Sequence, residues 1–161
     1  MVKIYIDACC YSRPFDNAAH LAQPAVQQEI AAIRDAVRLC RKAGIPVIGS
    51  PTVIDEIGRI RDSEKLEFVR AFYDSTINEY IELSADITGR AGELAVLGIK
   101  ERDAFHTAFA EASGAAFLLT TDDRFERKAK TLVLSTKVIN PINFLPEVTQ
   151  WIRQLLTQGI Q

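Results

Sequence analysis

Four acidic side chains in this sequence could do chemistry together: Asp7, Glu56, Asp103 and Asp122. Asp7 closes the apolar run Val2-Lys3-Ile4-Tyr5-Ile6, and Asp122 follows Ala115-Ala116-Phe117-Leu118-Leu119 by way of Thr120 and Thr121. Asp103 stands near the front of one helical run and Glu56 about two turns into another. Each has an ordinary explanation alone: Asp7 as a turn cap, Glu56 as a solvated helix residue, Asp103 as a dipole-favoured first-turn acid, Asp122 as an N-cap. Brought to one place, they would repel one another unless protonated or neutralised by a cation. Oxygen ligands without nitrogen or sulfur select Mg²⁺ or Mn²⁺, and such a cation polarises phosphate and activates water. The chemistry indicated is phosphodiester hydrolysis.

The elements that must bring these acids together alternate strand and helix. The central stretch runs from Lys100 to Phe125. In it Ala104, Phe105, Ala108, Phe109 and Ala112 recur at helical spacing, and Ser113-Gly114 stops the helix. The uninterrupted run from Ala115 to Leu119 then reads as a strand buried on both faces. Upstream, Val2–Ile6 is a strand, Ala8–Pro24 an irregular connection rich in turn formers, and Ala25–Ala43 a long helix closed by Gly44. Ile45–Ile48 is a second strand, and Ser50-Pro51 supplies an N-cap and a first-turn proline for the helix carrying Glu56. A further helix runs from about Asp62-Ser63 to Tyr73, Ile77–Leu83 is a weaker third strand, and Ala85–Leu97 is helical up to Gly98. Asp123–Lys130 is a short basic helix and Lys137–Asn140 a last strand ended by Pro141. The tail is expected to be helical around Phe144, Val148, Trp151, Ile152 and Leu155. This alternation predicts an α/β fold with a parallel sheet covered on both faces. In such a sheet ligands bind beyond the carboxyl ends of the strands, the edge that holds Asp7 and Asp122.

Composition sets the limits. The 161 residues, 48% hydrophobic and 25% charged, suit a single globular domain spanning residues 1–161. No apolar run approaches the roughly 20 residues of a membrane span, and the chain enters a strand directly after Met1, so no signal peptide is expected. Three cysteines, Cys9, Cys10 and Cys40, make no disulfide framework, which points to a reduced, cytoplasmic setting. The formal charge of −2 leaves nucleic-acid contact to local basic patches.

On its helical wheel Glu56 borders the face of Val53, Ile57 and Ile60, whereas Asp55 points away, which selects Glu56. Asp103 lies opposite Phe105, Ala108 and Phe109 and shares a stripe with Thr107 and Ala110. His106 is either a helix-packing residue or a contact to the site or its substrate. Arg13 could reach a phosphate from the loop beside Asp7 or sit in a surface salt bridge. Arg124, Arg127 and Lys128, with Lys130, follow the acidic edge and could bind RNA backbone; a solvated basic helix explains them as well. Cys9 and Cys10 read as small buried hydrophobes.

Asp7 after the first strand, Glu56 after the second, Asp103 in D-A-F-H-T-A and Thr120-x-Asp122 in L-L-T-T-D-D-R-F together resemble the PIN-domain nucleases. The terminal V-I-N-P-I-N-F-L resembles the end of that domain, and the opening D-A-C-C-Y-S-R-P-F-D is like one subgroup of small bacterial VapC-like proteins. The resemblance implies a three-layer α/β/α domain with a central parallel sheet and Mg²⁺- or Mn²⁺-dependent endoribonuclease activity on RNA. It also implies a homodimer and a small antitoxin partner, the chain being the toxin of the pair. Carried over, Asp7, Glu56, Asp103 and Asp122 would bind metal, Thr120 would hold the site through its hydroxyl, and Asp123 would be an extra ligand or a helix cap. The alternative is a non-catalytic RNA- or protein-binding member of the fold, against which the four acids argue. A third reading is a phosphohydrolase or phosphoacceptor domain on a similar sheet, but this chain has no D-x-D after its first strand.

Overall fold

The structure is a computed structural model that describes residues 2–158, without the side chains at 152 and 155–158. Among the described residues, five strands form one sheet: β1 (Ile4–Ile6), β2 (Val47–Gly49), β3 (Glu79–Tyr80), β4 (Phe117–Leu119) and β5 (Lys137–Ile139). Their order is β3-β2-β1-β4-β5 and every pairing is parallel. All residues of β1, β2 and β4 are buried, as strands covered by helices on both faces require. The weak alternation of Ile77–Leu83 reduces to two exposed edge residues, Glu79 and Tyr80. From β1 the chain first builds outward through β2 and β3, then returns to add β4 and β5 on the other side. The junction of β1 and β4 is therefore the switch point of the sheet, where a crevice opens beyond the strand ends.

The helices complete a three-layer α/β/α arrangement. They are α1 (Ala8–Ser12), α2 (Ala18–Leu21), α3 (Pro24–Ala43), α4 (Pro51–Gly58), α5 (Ser63–Thr76), α6 (Ala85–Val96), α7 (Glu101–Ala112), α8 (Asp123–Ala129) and α9 (Pro141–Gln158). The stretch expected to be irregular, Ala8–Pro24, is instead mostly helical, with a 3-10 turn at Arg13–Phe15 between α1 and α2. Its turn-forming residues act as caps: Asp7 accepts from the Cys9 amide, Asn17 from the His20 amide, and Pro14 opens the 3-10 turn. Ser50 caps α4 through the Val53 amide with Pro51 in the first turn. Gly44 and Gly114, at φ 65° and 72°, end α3 and α7 in the left-handed region.

α3 packs on α9, and α7 packs on α6 and α4. Apolar residues of α7 face its neighbours, and Thr107 and Ala110, on the Asp103 stripe, are fully buried too. α7 thus lies between two packed surfaces, buried from His106 to Ala110 and open at its two ends. Phe144 and Val148 of α9 reach the core as the apolar spacing predicts; the expected contribution of the Ile152 and Leu155 side chains lies outside the described residues.

Candidate metal centre

Asp7 follows β1 at the switch point and is only 5% exposed. Its main-chain amide donates to the Leu119 carbonyl (2.9 Å), so the strand pairing itself fixes where its side chain starts. Oδ2 accepts from the Thr120 hydroxyl at 2.8 Å, and the same hydroxyl accepts from the Asp122 amide at 3.1 Å. Thr120 therefore ties the end of β1 to the turn that presents Asp122. Oδ1 of Asp122 caps α8, accepting from the Arg124 and Phe125 amides at 2.9 and 3.1 Å. Capping and membership of the site coexist in one side chain, because Asp122 also lines the central cavity.

Glu56 comes from the opposite wall. Its Oε2 lies 2.8 Å from His106 Nε2, and its Oε1 lies 3.8 Å from the exposed Arg102 guanidinium. Asp55, one residue away, turns outward to Arg59 at 2.8 Å. His106 Nε2 also lies 3.2 Å from Asp7 Oδ1. One donor atom from each of Asp7, Glu56 and His106 falls within 4.8 Å of the others. Burial alone opposes an imidazolium here, yet the Asp7 and Glu56 carboxylates outweigh it and the His106 pKa ends raised.

Asp103 and Asp122 lie outside that 4.8 Å group but share its cavity. Asp103 stands in the first turn of α7, half-buried, and lines with Asp7, Glu56 and Asp122 a cavity of about 590 Å³. Burial, followed by the Asp7 and Asp122 charges, pushes its carboxyl from the usual 3.8 up to about 6. Four carboxylates on one cavity with one so disfavoured as an anion form a donor set that fits a hard divalent cation. Lys100 and Arg102 line the same cavity, placing positive charge at its wall. Neither is marked by sequence pattern, since charges just before and within a first helical turn look like solvated residues.

Residues 4–131 match the family model described as PIN domain. The chain belongs to the PIN domain family. The match stops before the V-I-N-P-I-N-F-L segment, so the C-terminal part of the resemblance lies outside it. No curated protein matches the chain. Among solved structures, a chain of the VapBC2 crystal structure from Rickettsia felis, bound to a DNA fragment from their promoter, is similar in fold. The TM-score is 0.55 at 19% identity, covering 85% of this chain and 98% of that one.

Around the centre of this PIN domain the other candidates are dispersed. Arg13 is held by Glu29 (3.0 Å), Asp16 (3.4 Å) and the Thr121 hydroxyl (3.0 Å), bracing the 3-10 turn against α3 and the loop after β4. Asp123 is exposed at the start of α8 and does not line the cavity. Arg124 and Arg127 are exposed, Arg127 Nε donating to the Asp123 carbonyl, while Lys128 lies over Gly98 in the turn between α6 and α7. His106, 1% exposed, has both ring nitrogens turned to protein groups, Nδ1 facing the Tyr5 hydroxyl at 2.8 Å. Tyr5 carries a signal that could have placed it: two residues before Asp7 on an extended strand, it shares that residue's side.

Proposed function

We propose that this PIN domain is a divalent-cation-dependent endoribonuclease hydrolysing RNA phosphodiesters, and the toxin of a toxin–antitoxin pair. The observation that carries the reading is the convergence of Asp7, Glu56, Asp103 and Asp122 on one cavity at the sheet's switch point. These four residues would hold Mg²⁺ or Mn²⁺. The cation supplies polarisation of a phosphate oxygen and a more acidic water. The chain's own part is positional and electrostatic. Thr120 keeps Asp7 Oδ2 turned to β4 and ties down the Asp122 turn. Lys100 and Arg102 offer positive charge to a phosphate entering an otherwise acidic cavity. Arg124, Arg127 and Lys128 extend that charge along α8 as contacts for the RNA backbone, and Arg13 acts by bracing the entrance.

The toxin assignment is supported by the likeness in fold to a VapBC2 structure and by the sequence resemblance to VapC-like proteins. A small protein antitoxin and a second copy of the chain are the partners it carries. The thiols of Cys9, Cys10 and Cys40 are all free, which suits a reducing cytoplasm, and no helix among the described residues is long and apolar enough to cross a membrane. The test is cleavage of single-stranded RNA by purified protein with Mn²⁺ or Mg²⁺. The expected result is activity that EDTA removes and that Asp7→Asn reduces at least about 100-fold, the scale of losing a charged group at a reacting centre. Equal cleavage by a contaminant-free Asp7→Asn preparation would rule the assignment out.

A further inference from the structure

His106 touches two of the four acids, yet it does not line the cavity. It stands behind Asp7 and Glu56, on the protein side, while the cavity opens on the other. Its far nitrogen, Nδ1, meets the Tyr5 hydroxyl at 2.8 Å, and that hydroxyl meets Ser50 Oγ at 2.6 Å. Ser50 is in turn the N-cap of α4, the helix that carries Glu56. A buried chain thus runs from the start of α4 through β1 to α7 and returns to Glu56, joining three separate elements. Tyr5, Ser50 and His106 are each no more than 1% exposed, so no water competes for these bonds. The two carboxylates require the proton on Nε2, and the Tyr5 hydroxyl, able to give or take a hydrogen bond, satisfies Nδ1 whether the ring is neutral or charged.

Two carboxylates drawn to one N–H cannot swing apart, although each sits on a different wall of the cavity. We propose that His106, braced by Tyr5 and Ser50, is a positioning residue that holds Asp7 and Glu56 in a cation-ready arrangement and sets the affinity of the site for a divalent ion. This rests on the reading of the cavity as a cation site, and it assigns His106 neither to the RNA nor to the ion itself.

The experiment is a Mn²⁺ titration of the purified chain, without RNA, followed by electron paramagnetic resonance of free and bound ion, with folding checked by circular dichroism. Partners that orient metal ligands are worth roughly 10- to 100-fold in affinity, so His106→Leu should weaken Mn²⁺ binding by that factor. His106→Gln, whose amide can still donate to the two acids, should recover most of the loss, and Tyr5→Phe should fall between wild type and His106→Leu. Pulsed resonance of the wild type should show no nitrogen bound to Mn²⁺. Wild-type affinity in folded His106→Leu, Gln no better than Leu, or a directly coordinated nitrogen would each overturn the proposal. If His106→Leu does not fold, the isosteric Tyr5→Phe decides, and wild-type affinity there overturns it. A wild-type chain that takes no Mn²⁺ would instead defeat the nuclease reading on which the proposal stands.

Discussion

At the scale of single residues, the site is a contest between carboxylates that only a cation or a proton resolves. Asp103 records that contest: its carboxyl is pushed up to about 6 by burial and by Asp7 and Asp122. A carboxyl raised in the folded state binds its proton more tightly there than in the unfolded chain. Metal-free stability therefore falls as pH rises from about 3.8 to about 6 and stays lower above that window. Because the group is partly exposed, solvent screening reduces the effect to on the order of 1 kcal/mol. Asp103→Asn should remove this slope and raise the metal-free Tm at pH 7 by roughly 2–4 °C, while gaining less than wild type from added Mn²⁺. Calorimetry of both proteins across pH 4–7 with EDTA and with Mn²⁺ checks it; a lower Tm for the mutant at pH 7 would mark Asp103 as an ordinary first-turn acid. The residue scale is also where sequence reading fell short. His106 sits three residues after Asp103, a spacing equally suited to packing, and nothing local reveals that two acids from other elements meet its ring.

At the scale of elements, α5 packs tightly over the end of β2. A methyl group added at Gly49 would come within 2.8 Å of Ile77 Cδ1 and closer still to the Tyr73 hydroxyl. Gly49→Ala is therefore expected to cost roughly 1–3 kcal/mol, as overpacking does, with Gly58→Ala, where nothing lies near, as the neutral control; urea unfolding measures both. A second joint is ionic. Arg90 of α6 binds Glu111 of α7 at 2.7 and 3.3 Å, and Glu111 also accepts from the Ser135 amide at 2.9 Å. Burial tends to raise the Glu111 pKa, but the Arg90 and Ser135 bonds outweigh it and leave it lowered. The depressed value makes this joint stabilising above the ordinary pKa of 4.5, and the contribution is lost as pH falls through the folded value. Glu111→Gln should lower stability at pH 7 by about 1 kcal/mol, and the difference from wild type should shrink as the pH falls below 4.5; denaturation midpoints over a descending pH series show whether the loss is confined to the higher pH.

At the scale of the whole molecule, a net charge of −2 gives no general attraction to nucleic acid, so grip must come from where positive charge is placed. Joint replacement of Arg124, Arg127 and Lys128 by Gln should weaken RNA binding and reduce the log–log salt slope by roughly 2 for single strands. Fluorescence anisotropy over a salt series reads the slope directly. Lys128, lying over Gly98, is the member most occupied within the fold. A slope reduced only by Lys128→Gln would contradict a phosphate-binding role for the exposed Arg124 and Arg127.

The alternation of strand and helix, the buried runs at Ile4–Ile6 and Phe117–Leu119, and the caps at Ser50, Gly44 and Gly114 were all determined by local sequence, because hydrophobic period and backbone preference act over a few residues. The placing of Asp7 and Asp122 on one edge followed from the parallel sheet alone. Local pattern misjudged Ala8–Pro24, where Asp and Asn could equally make turns or cap short helices, and packing against α3, α4 and α5 decided for helix. Tertiary structure alone decided that Tyr5, Ser50 and His106 form one buried chain behind Asp7 and Glu56. It also turned Arg13 toward Glu29 and Thr121 and brought Lys100 and Arg102 to the cavity wall. The physical reason is that these contacts join residues as far apart as Tyr5 and His106, whose meeting depends on strand register and helix packing across the domain and leaves no periodic trace in the chain.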